Sequence, residues 1–197
     1  MPERSLVIGC GALAHEIQHL KELNEWHHLD VQCLDAYLHN TPEQIPGRLA
    51  EKLRLAEGEY DRIFIAYADC GTAGEIDKLI EGKPQIARLP GAHCFAALTG
   101  LDHYDQWMQH TPGTFWLTDF LVRHFDSMVV RSLGLDQQPE LKSIYFGNYT
   151  TLVYVAQTDD DALLLQAKKA ADFLELEFQH IPTGMANFEQ SLRWCAA

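Results

Sequence analysis

A chain of 197 residues with 47% hydrophobic content suits one domain able to bury a core, and 22% charged residues with 10% aromatics exclude a disordered chain. Fifteen Lys and Arg against 28 Asp and Glu leave a formal charge of −13, which repels phosphates and anionic headgroups and so excludes a general nucleic-acid or membrane-surface binder. No apolar run approaches the roughly 20 residues of a membrane-spanning helix. Ahead of Cys10 only Leu6, Val7 and Ile8 form an apolar core, too short for an export signal, so the expected compartment is the cytoplasm.

Short β-branched or aromatic runs alternate with longer helical patterns, as βαβ units do. The predicted strands are Ser5–Gly9, Val31–Leu34, Arg62–Ala66, Ile86–Leu89, Thr114–Leu117, Leu152–Ala156 and Glu177–Ile181. Helices are predicted at Ala12–Asn24, Pro42–Ala56, Glu75–Glu81, Thr118–Leu133, Asp160–Leu174 and Ala186–Trp194; Leu163, Ala167, Ala170, Ala171 and Leu174 keep the three-and-four spacing of one apolar face. Gly91 to Gly113 carries no strand pattern and is rich in His, Cys and aromatic residues. No linker, repeat or low-complexity tract divides the chain. The expected architecture is a single α/β domain over residues 1–197, with a mainly parallel sheet covered by helices on both faces in the Rossmann-like manner.

Three of the five cysteines follow predicted strands: Cys10 in Gly9-Cys10-Gly11, Cys70 in Asp69-Cys70-Gly71 and Cys94 after Gly91-Ala92-His93. Ligands of open α/β sheets bind outside the carboxyl ends of strands, so these thiols are expected to meet, together with His39 from the turn after the second strand. In a reducing compartment an odd cysteine count favours thiol, metal or packing roles over disulfides. Three thiolates and one imidazole are a tetrahedral zinc set, and His93 is a rival nitrogen donor. Cys33, inside a strand, reads as a small packing residue, and Cys195 as incidental. Burial alone, without any ligand, is the plain alternative for the other three cysteines.

A second pattern overlaps the first. Gly9, Gly11 and Ala14 form a G-x-G-x-x-A turn between strand and helix, and Asp35 ends the second strand, as a dinucleotide fingerprint requires. A third reading pairs Cys10 and Cys70 as the two thiols of a cofactor-independent racemase. His15 and His19 share a helix face without a catalytic glutamate between them, and the run Asp159-Asp160-Asp161 suits a helix start. No GxxxxGK loop and no GxSxG elbow occurs, which removes most of the case for nucleotide or ester hydrolysis.

Gly9-Cys10-Gly11-Ala12-Leu13, Leu34-Asp35-Ala36, Leu38-His39-Asn40-Thr41-Pro42, Tyr67-Ala68-Asp69-Cys70-Gly71, Pro90-Gly91-Ala92-His93-Cys94 and Pro112-Gly113-Thr114-Phe115-Trp116-Leu117-Thr118 together resemble the DUF1638 family over most of the chain. The family's third block usually separates its His from its Cys by an acid, so the direct His93-Cys94 junction departs from the pattern. The resemblance implies an α/β fold with family-typical Cys10, His39, Cys70 and a His93-Cys94 pair. It also implies a supporting part beside corrinoid-dependent methyltransferases in one-carbon metabolism. Asp102-His103 lacks the spacing of the corrinoid ligand motif Asp-x-His-x-x-Gly, so the chain is not expected to carry the corrinoid itself. The leading expectation is a zinc-thiolate protein acting in thiol or methyl-group transfer on a small molecule, with corrinoid methyltransferase proteins as partners. The rival is a module that binds a cofactor in the same cleft.

Overall fold

Continuous apolar runs such as Leu6-Val7-Ile8 have no polar alternation, and they become strands buried on both faces of a parallel sheet. The computed structural model describes residues 4–196. Its contacts divide the chain into two compact units, one running to Ala97 and resuming at Met185, the other spanning Leu98–Gly184.

In the first unit β1 (Ser5–Cys10), β2 (Leu29–Leu34), β3 (Arg62–Ala66) and β4 (Ile86–Arg88) lie in the order β2-β1-β3-β4, every pair parallel. Helices α1 (Ala14–Leu23), α2 (Ile45–Ala56) and α3 (Glu75–Ile80) make the crossovers. α2 turns Ile45, Leu49, Leu53 and Ala56 inward, one apolar stripe at helical spacing. The chain returns as α9 (Ala186–Ala196), which lies on β1 and β3 and buries Phe188, Leu192 and Cys195. Cys195 donates its thiol proton to the Leu6 carbonyl at 3.6 Å, and burial pushes its pKa up to about 11.

The second unit carries β5 (Thr114–Thr118), β6 (Thr151–Ala156) and β7 (Glu177–Pro182), again parallel, with β6 central and fully buried. α8 (Asp161–Leu174) packs the predicted face of Leu163, Ala167, Ala170, Ala171 and Leu174 against Leu117, Leu152 and Tyr154. Asp160 caps α8, its Oδ1 accepting from the amides of Ala162 and Leu163 at 2.8 and 3.2 Å.

The α/β class and the parallel strand pairing agree with the sequence reading, while the strands sort into two sheets. Gly91 to Gly113 forms α4 (Cys94–Thr99) and α5 (Leu101–His110). Tyr104 and Trp107 of α5 pack on Trp116 at ring separations of 5.1 and 5.9 Å, Tyr104 and Trp116 buried and Trp107 half-buried over them. The expected helix Thr118–Leu133 is interrupted. Thr118 ends β5 and caps the short α6 (Asp119–Arg123), and a π-helical turn over Asp126–Arg131 follows, with Val129 buried. α7 (Leu141–Phe146), a single apolar turn and a half, had no periodicity long enough to be seen. Among the described residues no helix is long and apolar enough to cross a membrane.

Candidate functional site

The chain passes from β1 to β2 on one side and then to β3 on the other, so the topology reverses at the carboxyl ends of β1 and β3. Cys10 is the last residue of β1, and Cys70 lies in the loop just beyond β3. His39 sits in the 3-10 turn Ala36–Asn40 after β2, and Cys94 begins α4 after β4. Each of the four strands therefore delivers one of these residues to the same edge.

Two loops are shaped to do this. In Asp69-Cys70-Gly71-Thr72-Ala73-Gly74 the Asp69 carboxylate accepts from the Thr72 hydroxyl and from the amides of Ala73 and Gly74, at 3.1, 3.2 and 2.7 Å. The belt holds Cys70 at φ +50° and Ala73 at φ +54°, a left-handed backbone that residues with a Cβ adopt at a cost of order 1 kcal/mol. Next, the Cys70 amide donates to the Ala92 carbonyl at 2.8 Å and the Asp69 amide to Gly91 at 3.1 Å, tying this loop to the one that carries Cys94. Arg88, paired with Asp77, donates to the Leu89 carbonyl at 2.6 Å and steadies the second loop.

The side chains then meet in sequence. Cys10 Sγ lies 3.6 Å from His39 Nδ1, and that nitrogen lies 3.1 Å from the Ala36 carbonyl. Cys70 follows close by, near enough to His39 and Cys94 for their titrations to be linked. Burial works against a charge on His39, but the neighbouring Cys10 and Cys70 sulfurs outweigh it and lift its pKa to about 11. The Cys94 thiol, and after it His39, overcome burial to bring Cys70 down to about 5. Cys94 is pushed well above the usual thiol range by Cys70 and by burial. The shifts run in opposite directions, favouring the thiolate at Cys70 and the imidazolium at His39. Tyr67 stacks on His39 at 5.9 Å, and its buried hydroxyl has no hydrogen-bond partner. Among the described residues no three Cys, His, Asp or Glu side chains are drawn together at metal-ligand spacing.

The other predicted residues lie apart from this chain of contacts. His93 is exposed and acts on Cys70 less than Cys94 does. Cys33 is half-buried in β2 opposite Gly9, where burial raises its pKa. Each glycine of the turn has a packing reason: a Cβ on Gly9 would come 2.6 Å from Ile17 Cδ1, and one on Gly11 would come 3.0 Å from the Leu34 carbonyl and 3.1 Å from the Ala36 amide. Cys10 Sγ accepts from the Ala12 amide at 3.3 Å, a donor that a pyrophosphate oxygen would use at such a turn. Asp35 is exposed and accepts from the Tyr37 amide at 2.9 Å. His15 and His19 stack on one another at 6.5 Å on the exposed side of α1.

A protein-family model described as a protein of unknown function, DUF1638, matches residues 33–192. The chain belongs to the DUF1638 family. No curated protein and no solved structure matches it. His39, Cys70 and Cys94 fall within the span matched to DUF1638, and Cys10 precedes it.

The sequence reading missed a polar centre at the carboxyl end of the second sheet. Asp119, fully buried at the start of α6, accepts from the Tyr154 hydroxyl at 2.8 Å, the Gln157 amide at 3.0 Å and the Thr158 amide at 3.1 Å. The Asp119 amide in turn donates to Gln157 Oε1 at 2.9 Å, so the ends of β5 and β6 are laced together. A cavity of about 360 Å³ opens beside it, lined by Tyr154, Gln157, Thr158 and His180 among others. The only sequence signal was an acid placed directly after a β-strand.

Proposed function

We propose that this edge of the first unit holds one soft metal ion, zinc, on Cys10, Cys70, Cys94 and His39, in service of thiol or methyl-group transfer. The observation that carries the reading is the delivery of three thiols and one imidazole, one from each strand, to the switch point of a parallel sheet. The donor chemistry fits the ion: the sulfurs are soft, the neighbours of Cys70 favour its thiolate, and His39 presents one ring nitrogen to a backbone carbonyl, as metal-bound imidazoles do. The Tyr67 hydroxyl, buried without an oxygen or nitrogen partner, adds an unused donor beside Cys10 for a bound molecule.

Bound zinc would lower the pKa of a thiol placed on it and so sharpen that thiol as a nucleophile. The protein's own part is to hold its donors. The Asp69 belt fixes Cys70, the Ala36 carbonyl sets the His39 ring, and Tyr67 shields that ring by stacking. The reading extends, as part of the same proposal, to a supporting role beside corrinoid methyltransferase proteins with a small molecule as substrate. The occupied Ala12 amide and the close-packed glycines favour the thiol set over a dinucleotide on Gly9, Gly11 and Asp35.

Elemental analysis of untagged protein tests the proposal. The expected result is about one zinc per chain, with most of it lost in Cys10→Ser, Cys70→Ser and Cys94→Ser and retained in Cys33→Ser, because a hydroxyl is a far poorer zinc ligand than a thiolate. Folded, metal-free wild-type protein grown with ordinary zinc would overturn it.

A further inference from the structure

We propose that the exposed side of α1 is a surface metal site, on which His15 and His19 chelate one divalent transition ion of the nickel, copper and zinc class. The proposal uses none of the residues of the thiol cluster. Side chains four apart on an α-helix stand one above the other on successive turns. In α1 the two imidazoles do so, with ring centroids 6.5 Å apart and ring planes within 4° of parallel. Both residues are exposed, so neither ring is spent on packing, and each can turn a nitrogen to a common point without disturbing the core. The other side of α1 is fixed by fully buried Ile17 and Leu20, which sets the spacing of the pair before any ion arrives.

The surroundings favour a cation. Glu22, three residues after His19 and seven after His15, stands on the same exposed face, and its Oε1 accepts from Gln18 Nε2 at 2.7 Å, so the carboxylate leans back towards the histidine turn. Imidazole nitrogens select borderline ions such as nickel, copper and zinc over magnesium and calcium, which take oxygen. Glu16 stands between the histidines in the His-Glu-x-x-His order of zinc-peptidase helices, where the glutamate is the general base. Here Glu16 is 3% exposed and faces inward with Ile17 and Leu20, off the face that carries the imidazoles. The site therefore binds an ion without a base beside it, which sets it apart from a peptidase centre. Among the described residues no third Cys, His, Asp or Glu joins the pair at ligand spacing, so the protein supplies two nitrogens and the ion keeps its other positions open. Such a site takes up an ion that already carries other ligands. It lies ahead of residues 33–192, the span matched to DUF1638, and so belongs to the leading segment of this chain.

An ion fixed to a matrix through iminodiacetate has open positions and can be reached only by exposed donors, which keeps the buried Cys10 and Cys70 out of the measurement. The experiment passes the untagged full chain, and its His15→Ala, His19→Ala, double and His27→Ala variants, over immobilised Ni²⁺ with an imidazole gradient. Wild type is expected to be retained, and each of His15→Ala and His19→Ala to elute with the double variant, because chelation by two rings is lost with either one. His27→Ala, at another exposed histidine, should elute with wild type. In solution the ring signals of His15 and His19 should broaden together at substoichiometric Ni²⁺, before those of the other histidines, and each single variant should bind the ion at least about tenfold more weakly. Alanine at these exposed helical positions leaves the core untouched, so the variants report on the ion and not on folding. Wild type that is not retained, single losses that merely add up to the double one, or a His27→Ala variant that moves as far as His15→Ala would each overturn the proposal. No thiol variant enters the comparison, so the result stands or falls apart from whether zinc is found on the cysteines.

Discussion

Cys10 and Cys70 raise His39, Cys94 and then His39 lower Cys70, and the consequence is a stability profile with two shoulders. His39, raised from 6.5 to about 11, adds stability that is whole below pH 6.5 and is lost as pH climbs towards 11. Cys70, lowered from 9.0 to about 5, adds stability that is whole above pH 9.0 and is lost as pH falls towards 5. Between 6.5 and 9.0 the two slopes oppose, so the Tm of chelated protein is expected to be level there and to fall on either side; a Cys70→Ser variant should lose the acid shoulder and keep part of the alkaline one, because Cys10 also raises His39. A Tm that changes monotonically across this range would refute the ion pair. Tyr67 carries a second residue-level prediction. With no bound molecule, Tyr67→Phe removes a buried hydroxyl that has no oxygen or nitrogen partner, and it should raise stability by about 1–3 kcal/mol in chemical denaturation while zinc content stays unchanged. A loss of stability would mean that the contact with Cys10 is a genuine hydrogen bond. The cysteines and His39 were legible in the sequence because glycines and strand ends announce a parallel-sheet edge. Tyr67 was not, because an aromatic at the end of a buried strand looks the same whether or not its hydroxyl is satisfied.

At the level of elements, the turn between β1 and α1 shows how one sequence pattern can serve two physical ends. Gly9 and Gly11 match a phosphate-binding fingerprint, yet their lack of a Cβ lets Ile17, the Leu34 carbonyl and the Ala36 amide close on the strand end. Gly11→Ala is expected to cost about 1–3 kcal/mol, since backbone on two sides of the new methyl cannot turn away; thermal melts with and without nicotinamide nucleotides check it. A variant of native stability would show that the approach is looser than it stands. Strands and long helices were readable because apolar runs and three-and-four spacing repeat often enough to register. α6, the π-helical turn and α7 were not, being too short for a period to emerge, and the Asp69 belt was not, because its left-handed residues include Cys70 and Ala73 rather than glycine alone.

For the whole molecule, the sorting of strands into two sheets was the least legible feature. Every strand reads alike in a βαβ alternation, and nothing in composition marks that β5 pairs with β6 rather than with β4. The polar centre on Asp119 offers a test of how separately the sheets are held. Asp119→Ala strips acceptors from the Tyr154 hydroxyl and the Gln157 and Thr158 amides, and a cost of about 3–5 kcal/mol is expected for breaking so buried a set. Hydrogen exchange should show β5 to β7 losing protection first while β1 to β3 and the zinc content persist. Equal loss in β1 would show that the two sheets unfold as one.

α9 closes the first unit with residues that follow the whole of the second unit in the chain, since Cys195 reaches the Leu6 carbonyl over a separation of 189 residues. On the ribosome, therefore, β1 and β3 emerge before the second unit and stay uncovered on the α9 side until that whole unit and α9 have followed them out. In that interval β1 and β3 have an open apolar side, so the nascent chain passes through an aggregation-prone state before α9 covers them.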